Sequence, residues 1–213
     1  MDKVILKAVL STLLAIVLLF GIMIAALVFV YPSTLMTLTY NIGMDGASAW
    51  FADRAYDQFD NVYYIAYATE VSIGTEDPEK INRYGSRFIA DEGFDGYCAQ
   101  MDGETAEIGG SYRQYIYGQV CVAKYGLGER QEAVELAFSV NAEGFPERNA
   151  AAAVLLHALV SNTPEDEPYI SDMLARMQTM LSAQEGTQTF PDGDLEYLKA
   201  MINLTQMRTD GLS

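Results

Sequence analysis

The sequence predicts an all-α protein in which a single transmembrane helix precedes a domain of helical hairpins. Three observations lead to that class. Ala8 to Val30 is a run of 23 residues without a charge, in which only Ser11, Thr12 and Gly21 depart from apolar side chains. As a helix rising about 1.5 Å per residue it reaches roughly 35 Å, enough for a hydrocarbon core of about 30 Å. Beyond it, apolar residues recur at steps of three and four, the period of a helix with one buried face. No stretch alternates apolar and polar residues as a half-buried strand would.

Orientation follows from the flanks of the span. Lys3 and Lys7 precede it, whereas the first basic residue after it is Arg54. The positive-inside tendency therefore puts the N-terminus in the cytoplasm and the rest outside it. Tyr31 suits the membrane interface, and Pro32 can end or bend the helix there. A cleaved secretory signal is the competing reading, but such signals carry about 7–15 apolar residues with a small-x-small site close behind. The only neat site of that kind, Ala47-Ser48-Ala49, lies far past Val30, so the span reads as an uncleaved anchor. The chain divides into a cytoplasmic stub and anchor (1–31), a juxtamembrane linker (32–46) and one extracytoplasmic helical domain (47–213).

Removing residues 1–30 takes away Asp2, Lys3 and Lys7, which leaves 28 acidic and 11 basic side chains and a formal charge of −17. So negative a surface repels nucleic acid and anionic headgroups. It keeps the domain soluble and suits basic proteins or peptides as partners.

The elements of the exported part follow in order. Ala52, Ala55, Phe59, Val62, Ala66 and Ile73 form one stripe, predicting a single helix over 47–73 that Gly74 ends. Asp77 and Pro78 open a second helix with Ile81, Tyr84, Phe88 and Ile89 inside. Phe94 to Gly110, with Gly96, Gly103, Gly109 and Gly110 and no period, reads as a long loop. Ser111 caps a helix carrying Tyr112, Ile116, Val120 and Ala123, and a tight turn at Gly126 and Gly128 leads to another with Ala133, Val134, Ala137 and Phe138. Gly144, Phe145 and Pro146 stop that helix. Arg148 to Val160 is apolar nearly all round and reads as a central buried helix, too short to be a second span. Thr163-Pro164-Glu165-Asp166 starts a helix with Ile170, Met173, Leu174, Met177 and Leu181. After Gly186 and Pro191 a last helix carries Leu195, Leu198, Met201 and Ile202.

Tight turns near residues 127 and 163 are 36 residues apart, and the 52 residues from 75 to 127 shrink to 35 once the 17-residue loop is set aside. Helix pairs thus recur at about the period of stacked hairpins. Tyr117 to Pro146 resembles a tetratricopeptide repeat, with Tyr117, Cys121, Leu127-Gly128, Ala133 and Pro146 near that family's aromatic, small, glycine, alanine and proline positions. Lys124 stands where the family has an aromatic, and Pro146 is one place late. The resemblance implies a curved stack that binds a peptide or protein on its concave face. Unrelated hairpins in an irregular bundle would give the same spacing.

Candidate chemistry is sparse. Cys98 and Cys121 are the only cysteines and form a candidate disulfide on the oxidising side of the membrane, although two buried thiols fit as well. His157, the single histidine, sits on the most apolar helix and reads as a packed residue, not a base for either thiol. The acidic clusters lack the pattern of a calcium loop, His and Cys are too few for zinc, and no phosphate-binding loop occurs, so neither metal nor cofactor is expected. Tyrosine is the type in excess: 11 of 14 lie between Tyr40 and Tyr125. Tyr63 and Tyr64 must point different ways on a helix, and outward tyrosines anchor interfaces. Tyr64, Tyr67, Tyr112 and Tyr115 are the candidate partner-binding residues. The sequence therefore points to a membrane-anchored extracytoplasmic interaction module, such as a subunit of an envelope complex. An enzyme with an unfamiliar site and a self-assembling structural membrane protein are the alternatives.

Overall fold

The computed structural model describes residues 3–105, 111–139, 148–161, 163–184 and 199–207. Among them every regular element is helical and no strand occurs. The chain forms two compact units, Met1–Thr75 and Glu76–Ser213.

In the first unit, α1 (Lys3–Val30) contains the uncharged run, and none of its apolar window is buried. Its length and composition suffice to cross a membrane. Where the sequence predicts a linker, a second helix, α2 (Pro32–Asn41), follows at once. Tyr31 leaves helical geometry at φ −130°, ψ 49°, and Pro32 takes the first position, where its missing N–H is no loss. Pro32, Met36 and Thr39 are buried on one side of α2, which packs on α3 (Asp45–Phe59). Gly43, at φ 74°, makes the turn between them.

The single helix predicted over 47–73 is two. Asp60 adopts the left-handed conformation at φ 49°, ψ 48° and closes α3, and the Asn61 side chain caps α4 (Val62–Gly74) by accepting from the Tyr63 N–H at 3.0 Å. Asp tolerates that backbone and Asn favours the cap, so this pair breaks a stripe whose spacing runs on without interruption. Ala49, Ala52, Ala55, Ala66 and Ala68 are buried, small enough to let α3 and α4 approach closely. Phe59, placed inside by its spacing, is exposed at the end of α3.

The second unit opens with α5 (Pro78–Ile89), capped as predicted by Asp77, which accepts from the Lys80 N–H at 3.1 Å. Ile81, Tyr84 and Phe88 are buried. The predicted loop is instead largely helix α6 (Phe94–Thr105), with residues 106–110 outside the described set. Phe94 and Cys98 are buried and Tyr97 and Met101 half-buried, a regular stripe that the glycines disguise. Asp91 starts the helix by accepting from the Gly93 N–H at 2.7 Å.

The central helix is α7 (Tyr112–Gly126), which packs against α5, α6, α8 (Arg130–Ser139) and α9 (Arg148–Ser161). Ser111 caps it, and Gly128, at φ 90°, turns the chain into α8. Although α9 reads as apolar all round, only one face is buried, through Ala150, Ala151, Val154, Leu155 and Ala158; Leu156 and Val160 are exposed. A single 3-10 turn over Pro164–Asp166 leads into α10 (Glu167–Gln184), which buries Ile170, Met173 and Met177. In 199–207, also helical, Met201, Ile202 and Thr205 are buried. The stops at Gly144 to Pro146, Gly186 and Pro191, and the positions of Leu195 and Leu198, lie outside the described residues.

Candidate interaction surface

The tyrosines form a cluster in each unit. In the first, the Tyr67 hydroxyl on α4 lies 2.8 Å from the Ser48 hydroxyl on α3, which bonds to the Met36 carbonyl on α2 at 3.1 Å. Ser48 gives its one proton to that carbonyl, so it accepts from Tyr67 and three helices are tied in series. Tyr67 is therefore a packing residue, half-buried and edge-on to Tyr40 with ring centroids 6.1 Å apart. Burial pushes its phenol above its ordinary value.

Tyr63 and Tyr64 leave the helix in different directions, yet their rings meet edge-on at 5.7 Å. Long side chains at a helix start can swing together even when their Cβ atoms diverge. Tyr63 is 49% exposed, and both line a groove of about 640 Å³ with Ser33, Thr34, Thr37 and Asn41. Met36 and Leu38 complete its lining, which mixes hydroxyls, an amide and two phenols with apolar surface, and no charged residue lines it.

In the second unit a ring series runs outward from the core. Phe88 packs edge-on to Phe94 and Tyr97 at 4.8 and 5.5 Å, Tyr97 meets Tyr112 at 6.0 Å, and Tyr112 meets Tyr115 at 6.4 Å. Tyr115, at the end of the series, is 47% exposed. Arg113 bonds to Asp95 and lies over the rings of Phe94 and Tyr117 at 5.7 and 5.5 Å. The structure thus groups Tyr64 and Tyr67 with Tyr40 and Tyr63, and Tyr112 and Tyr115 with Tyr97.

No protein-family model, curated protein or solved structure matches the chain.

The remaining candidates are structural in character. Cys98 and Cys121 are buried and not bonded to each other, the free-thiol alternative of the sequence reading. Burial pushes the Cys121 thiol up to about 12, only slightly offset by Lys124, so at neutral pH it is a thiol and not a nucleophile. His157 is half-buried with its ring 5.9 Å from that of Tyr125. No three His, Cys, Asp or Glu side chains converge among the described residues.

One polar cluster is hidden by its sequence separations. Asp166 is 1% exposed and accepts from Tyr125 Oη and Arg130 Nε, both at 2.9 Å, and from Thr163 Oγ1 at 2.6 Å and N at 3.2 Å. Burial pushes its carboxyl up, but the bonds from Thr163, Arg130 and Tyr125 outweigh it and hold the group at about 2. A carboxylate has about four acceptor sites, and here all are taken. Asp166 is a clasp joining α7, α8 and the turn before α10, with no lone pair spare for proton transfer.

Proposed function

We propose that this chain is a single-pass membrane protein whose helical part outside the cytoplasm binds other proteins, as a subunit of an envelope complex would. The observation that carries the reading is α1, an apolar helix with none of its window covered by the protein. Hydrocarbon satisfies such a surface at no cost in unpaired backbone groups. Lys3 and Lys7 before the span, against none until Arg54 after it, support a cytoplasmic N-terminus.

Exposed tyrosines backed by a rigid ring series support the binding role. Tyr115 and Tyr63 each present a large amphipathic side chain held in place by neighbouring rings, the property that makes tyrosine an interface anchor. The net charge of −17 beyond the span favours a basic partner protein or peptide. The packing of α7 on α8 and α9, and of α9 on α10, is in keeping with hairpins α7–α8 and α9–α10 stacked as in a tetratricopeptide-like solenoid.

A benzophenone amino acid placed at Tyr63 or Tyr115 and illuminated in native membranes tests the role. A discrete protein adduct is expected from at least one of these sites and none from exposed Asp57. Absence of a protein adduct at both tyrosines would contradict the binding role.

A further inference from the structure

We infer that α2 lies along the membrane surface, with the stripe Tyr31, Leu35, Leu38 and Ile42 seated among the lipid headgroups where α1 emerges. This rests on α1 being a membrane span, and four observations then bear on α2. First, a single residue, Tyr31, separates the two helices, and its non-helical backbone at φ −130°, ψ 49° interrupts the helix there. Second, no charged side chain occurs from Ala8 to Met44, although the chain has 29 acidic and 13 basic residues; the first is Asp45, at the start of α3. The uncharged stretch thus covers the span, the whole of α2 and the turn after it.

Third, α2 has more apolar surface than its packing on α3 consumes. Pro32, Met36 and Thr39 are buried, while Tyr31, Leu35, Leu38 and Ile42 follow at steps of four, three and four on a neighbouring stripe. Tyr31, Leu38 and Ile42 are 55, 54 and 62% exposed, and Leu35 is half-buried. Thr37 and Asn41 occupy another side, facing the groove that they line together with Leu38 at its edge nearest the stripe.

Fourth, helix length decides between upright and flat. From Tyr31 to Ile42 a helix rises about 16 Å, whereas the headgroup layer is only about 5–8 Å deep on each side. An upright α2 would carry Leu38 and Ile42 through the headgroups into water; a flat one sets the whole stripe at one depth. Tyrosine suits that depth, and with no charge on the stripe the seating rests on apolar burial.

The test uses the full chain in phosphatidylcholine vesicles. Single variants Leu18→Cys, Leu38→Cys, Ile42→Cys, Thr37→Cys and Asn41→Cys each carry an environment-sensitive fluorophore, and the unsubstituted chain is the blank for buried Cys98 and Cys121. Nitroxide groups placed near the headgroup end of the acyl chains quench whatever lies at that depth, and the Leu18 position is read with a deeper nitroxide. Quenching at positions 38 and 42 is expected to be about twofold or more that at 37 and 41. If position 18 is quenched but 38 and 42 are no more quenched than 37 and 41, the seating is overturned and the span stands. If the label at position 18 escapes quenching, span and seating fall together.

Discussion

The Tyr67 hydroxyl donates to Ser48 at 2.8 Å, and Ser48 passes the chain of bonds to the Met36 carbonyl at 3.1 Å, so one phenol on α4 fixes the register of α2 and α3. Tyr67→Phe removes one neutral hydrogen bond while leaving Ser48 bonded to Met36. The expected loss is about 1 kcal/mol, read by denaturant unfolding of the solubilised chain. The sign with pH follows from the raised phenol: the fold favours its neutral form, so its contribution is whole below about pH 10 and is lost as pH rises through the higher folded value. Tyr67→Phe should therefore lessen alkaline destabilisation; an unchanged alkaline limb contradicts the assignment.

Asp166 sets the acid limb. Its carboxyl is held at about 2 against an ordinary 3.8, so its stabilisation is present above about pH 4 and is lost as pH falls through 3.8 towards 2. Asp166→Asn places an amide among donors that need an acceptor, and should cost roughly 3 kcal/mol at neutral pH. The difference from the parent chain should shrink on acidification through that window. A difference that is flat from neutrality to acid would show that the clasp does not form.

The two thiols give a covalent prediction. Alkylation of native chain at neutral pH should be slow at Cys121, whose thiol is buried and protonated, and fast after denaturation. Denaturation without reductant followed by alkylation should add two alkyl groups by intact mass. A chain that takes up none carries a disulfide, contrary to the structure.

Tyr115 separates binding from folding. It ends the ring series with nearly half its surface in solvent, so Tyr115→Ala should change stability by no more than about 0.5 kcal/mol. As an interface anchor its loss should weaken capture of a crosslinked partner about tenfold. Equal capture by the variant and the parent chain would remove Tyr115 from the interface.

Much of the fold is legible in the sequence where a local signal acts alone. Asp77, Ser111 and Thr163 mark helix starts because a cap is made with residues two or three places away. The α3–α4 break is not legible from spacing, since Phe59, Val62 and Ala66 keep helical steps across it; only the Asp60-Asn61 pair betrays it. Helix α6 is masked by glycines whose turn-forming tendency is overridden once Phe94 and Cys98 are buried. The Asp166 clasp is beyond local reading because Tyr125 and Arg130 lie 41 and 36 residues away in sequence. Of the candidate tyrosines, the excess and its clustering are legible, but which phenol packs and which is presented depends on neighbouring helices. Tyr67 turns inward to Ser48, and Tyr115 stays outside.

The proposed role depends on α1 spanning a membrane and carrying the helical units to its far side. Labelling of Glu79→Cys by a membrane-impermeant maleimide in intact cells, scored on protein that stays with carbonate-washed membranes, is the decisive measurement. Glu79 is exposed on α5, so full labelling without lysis is predicted. Labelling that appears only after the cells are broken would contradict that placement.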